Sequence, residues 1–136
     1  MPDYQKEKLG DYDILSIKSK QGDPLLEMAP EKGAVITRMS FKKEEKLIPV
    51  LSPIENSGKL ETNTFFKQCF LIPFPNRINN GTYTFQNKEY HLPVNETELN
   101  NALHGFLYDV KWKLEDIKQE GNSNTLHLTY QYPGAF

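Results

Sequence analysis

Residues 69–105 read CFLIPFPNRINNGTYTFQNKEYHLPVNETELNNALHG, and this run decides how the whole chain is read. At its centre lie two short β-prone segments, Thr82 to Phe85 and Glu89 to Leu92. Tyr83 and Phe85 share one face of the first, and Tyr90 and Leu92 fall together on the second. Asn79-Asn80-Gly81 is a strong turn signal ahead of them, and Gln86-Asn87-Lys88 makes the tight turn that joins them. Pro93 ends the return strand by withholding a ladder donor. Pro73-Phe74-Pro75-Asn76-Arg77-Ile78 stands before this hairpin and Leu103-His104-Gly105 after it. An arginine and a histidine therefore bracket it.

Outward from the hairpin, strand signals dominate. Tyr12 to Ile17 suits a mostly buried strand, Gly22-Asp23-Pro24 is turn chemistry, and Leu25 to Met28 is a short apolar strand. Ala34 to Thr37 is rich in β-branched residues. Leu47 to Leu51 pairs back across a turn at Lys42 to Lys46, with Pro49 forcing an edge or a strand end. Ser52 to Asn63 is polar and aperiodic, a loop or one short helix, and Asn95 to Asn101 is polar loop. Val110 to Ile117 and Thr125 to Tyr130 alternate as strands. No segment sustains a helical period, and no repeat or linker appears. The class is mainly β, an antiparallel β-sandwich, with residues 1–136 belonging to one domain.

Composition excludes several roles. A net charge of -2, with signs interspersed, gives no basic surface for nucleic acid. The one basic cluster, Lys42-Lys43, is neutralised at once by Glu44-Glu45. No apolar run is long enough to span a membrane, and Met1 to Gly10 is too polar for a signal peptide. The expected location is cytoplasmic, which makes the sequons at Asn80 and Asn95 chance matches. Cys69 is the single cysteine, so no internal disulfide forms; it reads equally as inert core or as a cleft-wall thiol. Cys69 and the three histidines lack zinc-site spacing, so no metal is expected, and no phosphate loop or serine nucleophile elbow is present.

The candidate chemistry sits at the brackets. Arg38 and Arg77 are the only arginines among sixteen basic residues. A forked donor boxed in by Pro75, Asn76 and Ile78 suits a ligand rich in hydroxyls, or a carboxylate. The competing reading is a structural arginine paired with Glu96 or Glu98, and residue type alone slightly favours it. Asn76 alone reads as a turn residue. His104 precedes Gly105, whose freedom lets the backbone bend and aim the ring into a cleft; the competing reading is a structural histidine, which a lone histidine more often is. Glu96 and Glu98 are near enough in sequence to suggest a glycosidase pair, but a polar loop favours solvated carboxylates. Phe65, Phe66, Phe70, Phe74, Tyr83 and Trp112 are mostly core, and one of them could floor a cleft.

At these residues the sequence resembles the aldose 1-epimerase (galactose mutarotase) family. The match runs in order through Asn76-Arg77-Ile78, Gly81, Tyr83, Phe85, Tyr90, Leu92-Pro93, Asn95, Leu103-His104-Gly105 and Trp112, with Lys32 to Ile36 resembling an early strand. Asn87 departs from the glycine many members carry in the hairpin turn, a mild change because asparagine tolerates left-handed angles. The resemblance implies a galactose mutarotase-like sandwich that interconverts the α and β anomers of an aldose, of glucose or galactose type, without a cofactor. A base removes the anomeric hydroxyl proton while an acid protonates the ring oxygen. It further implies that Asn76, Arg77 and His104 bind the sugar, with His104 an auxiliary that orients it and polarises its oxygens.

Family members are considerably longer, and their principal acid, a second histidine, and their base, a glutamate, lie beyond the matched stretch. His127 stands too early and in the wrong context to replace that histidine. The chain is therefore expected to be an incomplete amino-terminal half, inactive alone, whose last residues Tyr132 to Phe136 read as an interruption. Half a sandwich leaves edges open, so association with the missing carboxy-terminal half, or self-association through strands, is expected. The alternative is a non-catalytic carbohydrate-binding or sensing module of the same fold. Phosphorylated sugars would want more arginines than two.

Overall fold

Five consecutive antiparallel strands make the main sheet of the computed structural model, which describes residues 4–121 and 123–133. They are β1 (Tyr4–Leu9), β2 (Tyr12–Lys18), β3 (Pro24–Ala29), β4 (Val35–Lys43) and β5 (Lys46–Pro49), in that spatial order. Consecutive order follows from the short turns, since a hairpin connection leaves no room for a crossover. β4 meets β5 across Glu44-Glu45, with Lys43 opposite Lys46, as the charged turn and Pro49 predict. β1 is a strand the sequence reading leaves out. Its residues are mostly exposed, so no apolar alternation announces it; the ladder from Tyr4↔Ile17 to Leu9↔Tyr12 holds it in place.

Apolar residues lie on both faces of β2, where Ile14, Leu15 and Ile17 are all buried. Ile14 joins Ala29, Val35, Ile54 and Leu60 in the core, with Leu9, Tyr12 and Cys69 packed against it. Leu60 comes from the short helix α1 (Ser57–Glu61), which Asn56 caps by accepting the Lys59 N–H at 2.9 Å. Burying one such leucine completely contributes about 1.5–3 kcal/mol, which explains why a five-residue helix persists there.

Three two-stranded units follow. β6 (Arg77–Asn79) pairs with β9 (Asn101–Leu103), β7 (Thr82–Phe85) with β8 (Lys88–His91), and β10 (Lys113–Glu120) with β11 (Ser123–Thr129). The β7–β8 hairpin appears where the sequence places it. Gln86 and Asn87 both take positive φ, +49° and +60°, the backbone of a type I′ turn, so the asparagine does adopt the left-handed angle. β6 and β9 are corrections: each is only three residues long, and β9 lies at the end of a stretch read as polar loop. β10 starts at Lys113 rather than Val110, because Val110 and Trp112 spend their backbones on the main sheet's β3–β4 turn. There Gly33 N–H donates to Val110 O at 2.8 Å and Trp112 N–H to Pro30 O at 2.9 Å. A Cβ on Gly33 would stand 1.7 Å from Tyr108 O, so only glycine allows this approach. The Lys32–Asp109 ion pair at 2.6 Å reinforces it. Gly134 to Phe136, read as an interrupted end, lie outside the described residues.

Candidate functional site

The pairing of β6 with β9 sets Arg77 opposite Leu103 and so brings the two bracketing motifs together. Asn76 immediately precedes one strand and His104 immediately follows the other. Both leave the ladder with left-handed backbone, φ +67° at Asn76 and +61° at His104, a region that asparagine and histidine enter more readily than most residues. Gly105 continues at +69°, and a Cβ there would meet Ile72 O at 2.1 Å. Phe106 N–H donates to that same carbonyl at 3.0 Å, closing the turn. Non-glycine residues at such angles are strained and persist only where neighbours hold them.

Those neighbours are specific. The Asn76 N–H donates to Nδ1 of His104 at 2.8 Å, and the His104 N–H donates to the Asn76 carbonyl at 2.9 Å. Because Nδ1 is the acceptor, the neutral ring carries its proton on Nε2. Burial, and then the nearby Arg77 charge, hold the ring's pKa below its ordinary value, while Glu96 acts the other way. The Phe66 and His104 rings meet in a T-shaped contact with centroids 4.5 Å apart, and Phe66 and Tyr108 make another at 5.0 Å. His104 is thus presented as a neutral hydrogen-bond donor.

Arg77 is gripped along one side. Its Nε donates to Glu96 Oε2 at 2.8 Å and its Nη2 to Glu96 Oε1 at 2.7 Å, a two-pronged pairing. Asn101 Nδ2 adds a third donor to Oε2 at 2.8 Å. Arg77 first, and Asn101 next, hold the Glu96 carboxyl down at about 2. The expectation that Glu96 is solvated is therefore overturned, since three donors fix it and its side chain is only 17% exposed. A carboxylate so placed is a poor general base at neutral pH, because it binds protons too weakly.

Asn95 supports the other end. Its Oδ1 accepts the Leu103 N–H at 2.6 Å, and its Nδ2 donates to Leu103 O at 2.8 Å and to the Tyr108 hydroxyl at 3.1 Å. The side-chain amide thereby stands in for a strand neighbour at Leu103, beyond the bridge that Glu96 makes to Asn101 on the same edge of β9. The structure thus brings Asn76, Arg77 and His104 into one cluster, pairs Arg77 with Glu96, one of the two carboxylates the sequence offered for it, and adds Asn101, Asn95 and Phe66, whose place there the sequence did not give. Their signal was weak. Glu96 stood as one of two possible partners for Arg77, and the strand containing Asn101 is too short to show alternation.

A hollow of about 740 Å³ opens on the other side of β6, lined by Phe74, Ile78, Tyr83, Tyr90 and Leu92 among others. Alternation along the strand separates its Ile78 wall from the Arg77 face. Cys69 stands by the core, accepting from Asn63 Nδ2 at 3.3 Å, with burial pushing its thiol up to about 11. Among the described residues no group of three or more His, Cys, Asp and Glu side chains is arranged to hold a metal ion. No helix among them is long and apolar enough to cross a membrane.

This local arrangement lies within the region that matches a known family. The family model described as aldose 1-epimerase matches residues 18–136. The chain belongs to the aldose 1-epimerase family. It is similar to the protein YihR of Escherichia coli (strain K12), described as uncharacterized, with 33% identity over 106 residues; the match covers 74% of this chain and 31% of YihR. The chain thus spans about a third of that relative. Its fold is similar to a galactose mutarotase-like protein from Clostridium acetobutylicum, with a TM-score of 0.71 and 20% identity over 95% of this chain and 38% of that one. The mainly β, antiparallel, galactose mutarotase-like fold read from the sequence is therefore the fold observed. Family membership makes the chain part of a mutarotase-like, carbohydrate-related group of isomerase type.

Proposed function

We propose that this chain forms the amino-terminal part of one mutarotase-like domain and supplies the sugar-holding side of an aldose 1-epimerase site. Asn76, Arg77 and His104 bind an aldose of glucose or galactose type. The observation that carries the reading is the bond from the Asn76 N–H to His104 Nδ1, which fixes the ring tautomer and leaves Nε2–H to donate to a sugar oxygen. Arg77 contributes further N–H donors to neighbouring hydroxyls.

In this reading the site holds the sugar while its ring opens and recloses on the other face of the aldehyde. His104 is an auxiliary, since a neutral imidazole N–H orients and polarises an oxygen more readily than it surrenders a proton. Glu96 is not the base, for the reason its pairing gives. The principal base and acid come from the part of the family fold that this chain does not span.

The test has two arms. NMR titration of the 136-residue chain with D-glucose and D-galactose should move the Asn76, Arg77 and His104 signals together. Polarimetry of freshly dissolved α-anomers should show rapid equilibration only with a chain extended to family length. An absence of signal shifts with either sugar overturns the reading; shifts without acceleration by the extended chain favour a binding or sensing module.

A further inference from the structure

We propose that Glu96 is a positioning residue, fixing the guanidinium of Arg77 so that only its outer edge is offered to the sugar, and that Asn101 in turn fixes Glu96. The inference rests on the sugar-holding reading of Arg77. A guanidinium has five N–H donors. Two of them, on Nε and Nη2, are committed to Glu96 at 2.8 and 2.7 Å. The remaining three, on Nη1 and the outer side of Nη2, face away from the carboxylate by the planarity of the group.

Glu96 is itself held at three places. Its Oε2 accepts from Asn101 Nδ2 at 2.8 Å, its backbone N–H donates to Asn101 O at 3.1 Å, and its carbonyl accepts the Asn101 N–H at 3.1 Å. Asn101 lies opposite Asn79 in the β6–β9 ladder, two residues along β6 from Arg77. The contacts therefore close a circuit from Arg77 through Glu96 and Asn101 back to Arg77's own strand. Exposure runs the right way along it, since the Glu96 side chain is 17% exposed and that of Arg77 50%. The inner partner anchors and the outer one presents. A free arginine side chain samples many rotamers, and an affinity that depends on its direction falls when the anchor goes. The pairing also offsets part of the charge, so what is offered is chiefly donor geometry, which suits a hydroxyl better than an anion.

The experiment is a double-mutant cycle on D-galactose and D-glucose affinity, read by NMR titration of the full chain. In the native background Glu96→Gln should weaken binding by about tenfold, the size expected when a charged hydrogen-bond partner is lost. In an Arg77→Ala background the same change should cost less than about twofold, because the group it orients is gone. A general structural role costs the same in both backgrounds, and that outcome overturns the proposal. The Arg77 Nε–H resonance, read without sugar, should move in Glu96→Gln while the rest of the amide spectrum stays in place. If Glu96→Gln does not fold, Asn101→Ala keeps the carboxylate and removes its third donor; it should weaken binding by about threefold and lose that effect without Arg77. Native chain that binds sugar with Glu96→Gln binding equally well sinks this inference alone. Native chain that binds neither sugar sinks it together with the function above.

Discussion

Asn76 and His104 hold each other: the Asn76 N–H reaches His104 Nδ1 at 2.8 Å, and the His104 N–H reaches the Asn76 carbonyl at 2.9 Å. Twenty-eight positions separate them in the chain. The pair lets two short strands end in left-handed turns at the same place, and it sets the protonation state of the ring. A protonated Nδ1 has no lone pair, so the imidazolium form must break the first of these bonds.

The ring should therefore titrate below its ordinary value of 6.5. A lowered folded-state value for histidine favours the neutral form, so its contribution to stability is complete above about pH 6.5 and fades as the pH falls through the folded value. In NMR titrations the Asn76 amide should move with the same midpoint as the His104 ring carbons. A flat Asn76 amide would contradict the coupling.

Glu96 makes a second pH window. Its carboxyl lies at about 2, against an ordinary 4.5. A depressed carboxylate stabilises fully above its unfolded value, and that contribution drains away as the pH falls from about 4.5 toward 2. Native chain should melt at a higher temperature than Glu96→Gln at pH 6, and the gap should close by pH 2. A gap independent of pH would mean that the lost charge is not what the variant feels.

Much of this was legible in advance and some was not. The β7–β8 hairpin was plain, because turn chemistry at Asn87 and alternation from Tyr83 to Tyr90 agree. Asn76, Arg77 and His104 were legible through the family resemblance rather than through spacing. What brings them together, β6 against β9, was hidden, since three-residue strands carry no measurable period and Asn100-Asn101 looks like loop. β1 escaped because backbone pairing rather than burial makes it a strand. The Arg77–Glu96 pair was open between two carboxylates until the bridge from Glu96 to Asn101 settled the register.

Glycine separates two kinds of cost. Gly105 and Gly121 share left-handed φ, +69° and +61°, but a Cβ on Gly105 meets Ile72 O at 2.1 Å while one on Gly121 meets nothing within 4 Å. Gly121→Ala should cost only the conformational penalty of about 1–2 kcal/mol. Gly105→Ala should cost clearly more than that and disturb the His104 signals. Equal losses in denaturant melts would mean that the backbone near Ile72 yields.

Leu60 tests how much the core depends on a five-residue helix. It is fully buried, so Leu60→Ala should destabilise by about 2–5 kcal/mol. Phe65, 85% exposed, provides the contrast: Phe65→Ala should change stability by less than about 0.5 kcal/mol. Chemical denaturation of both variants decides the matter, and a similar loss at Phe65 would mean that its ring has a partner surface.

Cys69 gives the molecule a reporter of its own. With its thiol pushed up to about 11, only roughly one part in three thousand is the reactive thiolate at pH 7.5. It lies three residues past Phe66, the ring that leans on His104. Cys69 is only partly buried and lines a pocket with Phe66 and Tyr108, so the speed at which a thiol reagent labels this one sulfur becomes a clock for how tightly the 66–69 segment packs beside the histidine. A sugar that steadies the histidine should slow that clock without touching the cysteine.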